Sequence, residues 1–172
     1  KRYDEDDKWK LAGKAVINKK GKFKFTDEVD SVRHRLYRVV KSAGDNRTKG
    51  KSKNLDVTVY GWRYLTSLSP VAATGTGETS SLKINGNAYE QSVQGNAYGN
   101  AGSIAYNIDR KCKRFEGRVG LSDTSEITAT GTITLKADAT SFYTNSFGLT
   151  QSASVARDVT NVFRLTVDWT SS

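Results

Sequence analysis

The chain has 172 residues, 26% charged and 36% apolar, and its 27 Lys and Arg against 18 Asp and Glu give a net charge of +9. That length holds one domain or two small ones, and no run of about 18 apolar residues exists from which a helix could cross a bilayer. A single Cys excludes an internal disulfide, and a single His with no second ligand at metal-binding spacing excludes zinc.

The chain begins at Lys1 and contains no Met, which reads as a processed or excised piece. Its charge is uneven: residues 1–62 carry a net +8 and residues 63–172 a net +1. Such a step suggests two units with different surfaces, the first facing something anionic or simply well solvated. Short alternating runs fill the first unit: Trp9 to Ile17, Phe23 with Phe25, Tyr37 with Val39, and Leu55 to Val59. Asn18-Lys-Lys-Gly21 supplies a hairpin turn. Asp27 to Arg35 is the best helical candidate, and the period is weak. The polar loop from Ser42 to Asn54 carries Arg47, Lys49, Lys51 and Lys53 as candidate polyanion contacts.

The Trp9 strand, Asn18-Lys-Lys-Gly-Lys-Phe-Lys-Phe25, Tyr37-Arg-Val-Val40 and Asp56-Val-Thr-Val59 resemble the short Ig-like β-sandwich repeats of secreted Gram-positive surface proteins. A sandwich of that kind needs about seven strands and four or five fit. The resemblance therefore implies a partial Ig-like unit over 1–61 whose opening strands are absent. Gly61-Trp-Arg-Tyr64 follows as a bridge, with Trp62 either a packing anchor or an exposed stacking ring.

The second unit opens on Gly- and Asn-rich loops. Ser81-Leu-Lys-Ile-Asn-Gly-Asn-Ala-Tyr89, Ser103-Ile-Ala-Tyr-Asn-Ile108, Arg114-Phe-Glu-Gly-Arg-Val-Gly-Leu-Ser-Asp123 and Val162-Phe-Arg-Leu-Thr-Val-Asp-Trp169 each alternate with period two. Thr128 to Leu135 reads as a further strand, and Arg157 to Asn161 as the turn before the last one. In this order, from Tyr64 onward, these runs resemble the NPCBM family (novel putative carbohydrate-binding module), a galactose-binding-like jelly-roll β-sandwich. The expected fold is all-β: an Ig-like sandwich over 1–61 followed by an NPCBM-like sandwich over 62–172. The chain departs from the family's pattern at Asn100, where a His is common, and at Leu68-Ser-Pro70, where a Trp is common. The resemblance also implies one more strand after Trp169, so the unit reads as lacking its last strand. A Cys on that strand of a longer parent would be a partner for Cys112; a buried reduced thiol is the alternative.

Catalysis would need a nucleophile with its base, a carboxylate pair or a metal. His34 lies between Arg33 and Arg35, where cations disfavour its protonation and no carboxylate in the sequence orients it. The Gly-rich loops lack the Lys-Ser/Thr ending of a phosphate loop. We read the chain as not an enzyme and as needing no cofactor. Sugar binding needs an aromatic face and forked amides or carboxylates. Glu90, Gln94, Asn96, Tyr98 and Asn100 cluster in one segment, and Asp123 either joins them or caps a turn. The expected function is extracellular or cell-surface attachment to a glycan or surface polymer. Two alternatives stay open: a structural module making protein–protein contacts in a cell-surface or phage virion assembly, and non-specific polyanion binding by the basic unit. Cations in 47–53 without interleaved aromatic rings argue against sequence-specific nucleic-acid recognition.

Overall fold

The computed structural model describes residues 1–4, 6, 8–44, 48–75, 77–95 and 101–171. The described chain is all-β, its only helical piece the 3-10 turn Leu65–Ser67. It divides into two units, Lys1–Trp62 and Arg63–Ser172, and each sheet lies within one of them.

In the first unit, β1 (Arg2–Tyr3), β2 (His34–Tyr37) and β5 (Leu55–Thr58) form an antiparallel sheet with β2 in the middle. A second, two-stranded ladder joins β3 (Val40–Lys41) to β4 (Gly50–Lys51). The alternating runs at Trp9–Ile17 and Phe23–Phe25 are not strands. No sheet face receives their apolar side chains, so Leu11, Val16, Ile17, Phe23 and Phe25 stay exposed. The turn between them does form: the Asn18 side-chain oxygen accepts the Lys20 and Lys22 amides at 3.0 Å each, and the Asn18 amide donates to Lys22 O at 2.8 Å. The helical candidate over 27–35 is not a helix: residues 31–33 bend, and His34 and Arg35 are taken into β2.

Charge and aromatic rings hold this unit where an apolar core would. Arg35 is fully buried, donates to Ser31 O at 2.5 Å and lies 5.1 Å from the centre of the Tyr3 ring. Asp30 accepts the Tyr3 hydroxyl at 3.1 Å and sits 3.5 Å from the Arg35 guanidinium. A buried guanidinium persists only when such partners replace its water.

The second unit has a five-stranded antiparallel sheet in the order β12-β11-β14-β9-β6. Its strands are β6 (Ala72–Thr74), β9 (Gly102–Asn107), β11 (Thr130–Ala137), β12 (Thr140–Gly148) and β14 (Arg164–Ser171). Two further ladders complete it, β7 (Gly77–Ile84) with β8 (Asn87–Gly95), and β10 (Arg114–Gly120) with β13 (Ser152–Asp158). Period-two alternation sends Ile104 and Tyr106 of β9 and Leu165, Val167 and Trp169 of β14 to one face. There Ile104, Tyr106 and Trp169 form one buried cluster, and Ile108, Val159 and Leu165 a second. Leu65 and Leu68 pack on both clusters, and the half-buried thiol of Cys112 packs on the second.

One segment reads differently from its pattern. Ser81–Tyr89 is not one strand but a hairpin corner, because Asn85 and Gly86 both take positive φ, 50° and 74°. A type I′ turn requires that at both central positions, and Asn-Gly supplies it at least strain.

Candidate functional site

A cleft of about 620 Å³ opens at one end of the second unit. Its walls come from the ends of β8 (Val93–Gly95) and β14 (Val167–Ser171), the start of β11, and the β10–β11 connection. Leu82, Val93, Leu121, Ile133 and Val167 make its apolar floor. Ser122, Thr124, Ser125, Glu126, Thr128 and Thr130 bring polar groups to its rim. The volume falls within the range of about 300–1,000 Å³ typical of small-molecule sites.

Local chemistry keeps the rim compact. Ser125 N–H donates to Ser122 O at 2.9 Å and Ala129 N–H to Glu126 O at 3.0 Å, giving two successive turns. The Ser122 and Thr124 hydroxyls bond each other at 2.8 Å. Asp123 anchors the loop from beneath: its amide donates to Lys83 O at 2.9 Å, and its carboxylate accepts the Asn85 and Gly86 amides at 2.6 and 2.8 Å. Short Asp and Ser side chains suit this work because they reach neighbouring amides without disturbing the chain. The Glu126 side chain is exposed and has no partner among the described residues.

Trp169 forms the inner wall and is 8% exposed. Its ring is confined by two glycines: a Cβ added at Gly95 or at Gly102 would stand 2.4 Å from its Cε2. The indole Nε1 is buried and has no hydrogen-bond partner among the described residues, and the hydroxyl of Tyr106 in the same cluster is in the same condition. Burial alone raises the Tyr106 pKa above its usual value.

The residues singled out from sequence are distributed unevenly. Gln94 lines the cleft. Glu90 lies exposed five residues before Gly95 on β8, roughly 17 Å from that end at strand rise. Asp123 is engaged with the Asn85–Gly86 turn. Asn96, Tyr98 and Asn100 fall outside the described residues, as does Arg47. Lys49, Lys51 and Lys53 are exposed on and beside β4 of the first unit. Sequence reasoning passed over Glu126 and the hydroxyl-rich rim. The available signal was the run Ser122-Asp-Thr-Ser-Glu126 between two strands.

His34 corrects its sequence reading. Its two ring nitrogens face the carboxylates of Asp4 and Asp56, both exposed. Those hydrogen bonds, Asp4 first and Asp56 next, raise its pKa above the ordinary 6.5 despite the flanking arginines. The pairing Leu36↔Asp56 brings Asp56 beside His34 from a distant stretch of chain, which the sequence alone does not display. Among the described residues no group of His, Cys, Asp or Glu is arranged to hold a metal ion, and no helix is long and apolar enough to cross a membrane.

The model of the NPCBM/NEW2 domain matches residues 60–171. The chain belongs to the NPCBM/NEW2 domain family. Solved structures share the fold at low identity. CBM51 from Clostridium perfringens GH95, in complex with methyl-galactose, is 19% identical and covers 63% of this chain and 86% of its own, at a TM-score of 0.53. CBM51-2 with the INT domains of Clostridium perfringens ZmpB, in complex with GlcNAc, is 14% identical and covers 96% of this chain at a TM-score of 0.52. The structure of the ZmpB M60 catalytic domain with CBM51-1 and CBM51-2 is 17% identical and covers 85% of this chain, at a TM-score of 0.51. This chain spans 41% and 17% of those two ZmpB structures. No curated protein matches the chain by sequence. For the NPCBM/NEW2 unit these likenesses establish an all-β carbohydrate-binding-module fold.

Proposed function

We propose that the NPCBM/NEW2 unit is a non-catalytic module that holds a sugar residue in the cleft beneath the Ser122–Thr130 rim, outside the cell or at its surface. The observation that carries this reading is a family match over residues 60–171 joined to a cleft with one unpartnered carboxylate, Glu126, among hydroxyls. A carboxylate accepts from two neighbouring sugar hydroxyls, and the apolar floor covers the less polar side of a pyranose. Two of the structural neighbours were solved with methyl-galactose and with GlcNAc, which makes galactose- and N-acetylglucosamine-terminated glycans the first candidates. Tyr98 and Asn100 belong to the same proposal, since they follow Gly95 closely along the chain and Gly95 lines the cleft.

The test is a glycan array followed by calorimetry on the best binder, with Glu126→Ala and Tyr98→Ala compared to the parent chain. A loss of tenfold or more in the Glu126 variant supports the cleft. Unchanged affinity there with loss in the Tyr98 variant moves the site to 96–100, and no sugar-competable signal on any glycan rejects the module's binding role.

A further inference from the structure

Among the described residues of the first unit, no carboxylate takes up the charge of Arg2 or Arg38. The register Arg2↔Leu36 places Arg2, His34 and Leu36 on one face of the β1-β2-β5 sheet, the pairing Leu36↔Asp56 puts Asp56 there too, and Arg38 follows the end of β2 by one residue. His34 engages the carboxylates of Asp4 and Asp56. Arg2 and Arg38 turn instead to Trp9. Their guanidinium carbons lie 5.8 and 3.8 Å from the indole centre, and each Nε is buried with no acceptor among the described residues. No guanidinium nitrogen of either makes a hydrogen bond or an ion pair to a described residue. Like charges gathered at one ring repel, and contact with that indole offsets only part of the repulsion.

We infer that Arg2, Trp9 and Arg38 form a binding site for a sulfate or phosphate group carried on an acidic polysaccharide. The indole holds both planar guanidiniums in place, so little freedom is lost when their terminal N–H groups fork onto a tetrahedral oxyanion. The net +8 of residues 1–62 draws a polyanion toward the unit, and this pair captures one group of it. The anion chemistry stands on these residues alone. The choice of a polysaccharide over other polyanions rests on the carbohydrate reading of the second unit.

The experiment uses the whole chain and heparin, with fully desulfated heparin, polyphosphate and duplex DNA as comparisons. Double variants Arg2→Ala/Arg38→Ala and Lys22→Ala/Lys24→Ala remove the same charge. Lys22 and Lys24 are exposed and form no ion pair among the described residues. The arginine pair should lose on the order of tenfold in Kd for heparin and the lysine pair far less. Arg38→Lys, which keeps the charge but not the planar fork, should lose binding as well. Equal losses in the two double variants, or full binding by Arg38→Lys, overturn the site in favour of net charge. Equal binding of desulfated heparin overturns the oxyanion. Duplex DNA binding tighter than both heparin and polyphosphate overturns the polysaccharide. In the unaltered chain, the Nε–H resonances of Arg2 and Arg38 should shift on heparin-fragment addition while that of buried Arg35 stays; no shift at saturation rejects the assignment without reliance on any variant. This arm can fail while the glycan array succeeds, and the reverse, so the two readings are separable.

Discussion

Trp169 and Gly102 face each other across the β14–β9 ladder, and a Cβ at Gly102 would stand 2.4 Å from Trp169 Cε2. The missing side chain on one strand is the space occupied by the ring on the other. Gly102→Ala should therefore destabilise the second unit by about 1–3 kcal/mol through overpacking, although Ala ordinarily favours an ordered backbone over Gly. Urea unfolding followed by Trp fluorescence reads this directly. A variant as stable as the parent would mean that the ring has room to move aside.

Asp123 joins the β10–β11 rim to the β7–β8 hairpin by accepting two backbone amides, those of Asn85 and Gly86. Asp123→Ala leaves both without that acceptor and should cost about 1–2 kcal/mol, with faster hydrogen exchange at exactly these two amides. Asp123→Asn keeps one acceptor oxygen and should recover part of the loss. Exchange that is unchanged in both variants would show that the turn holds itself.

Tyr106 is fully buried and its hydroxyl has no partner among the described residues. An unsatisfied buried hydroxyl is a cost that its removal relieves, so Tyr106→Phe should be neutral or stabilising by up to about 1 kcal/mol. Thermal unfolding decides, and a fall in stability of that size would point to a polar contact made by the hydroxyl.

The first unit should weaken on both sides of a pH optimum. His34 has a raised pKa from Asp4 and Asp56, so its contribution is fully present below 6.5 and is lost as pH rises through the folded value. Asp27 has a lowered pKa, chiefly from the Tyr37 hydroxyl and then Lys1, so its contribution is present above 3.8 and is lost as pH falls. Hydrogen exchange of β2 and β5 amides, corrected for intrinsic rates, should show protection declining above pH 6.5. His34→Gln should abolish that decline, while an undiminished decline in the variant would assign it to another group.

Much of the second unit was legible along the chain. Ser103–Ile108, Arg114–Gly120 and Val162–Trp169 alternate because each strand has one face on the core, and the structure places β9, β10 and β14 there. Thr140–Gly148 and Ser152–Asp158 escaped notice because their Ser- and Thr-rich sides meet solvent and neighbouring hydroxyls, which blurs the apolar period. In the first unit the opposite happened. Trp9–Ile17 and Phe23–Phe25 have strand-like alternation, yet no opposing layer buries it, and periodicity without a partner face does not make a strand.

The sequence by itself determined the all-β class, the change in charge between the units and the family of residues 60–171, since each is carried by neighbouring residues or by their order. Tertiary structure alone decided which distant side chains meet. The cleft joins Gln94, Glu126 and Trp169 because β14 lies between β9 and β11 and the β10–β11 loop folds over their ends. His34 meets Asp4 and Asp56, and Trp9 meets Arg2 and Arg38, on and beside a three-stranded sheet whose pairing brings 2, 34 and 56 together. Strand pairing brings together residues that lie tens of positions apart, and a local pattern holds no record of which strand will be the neighbour.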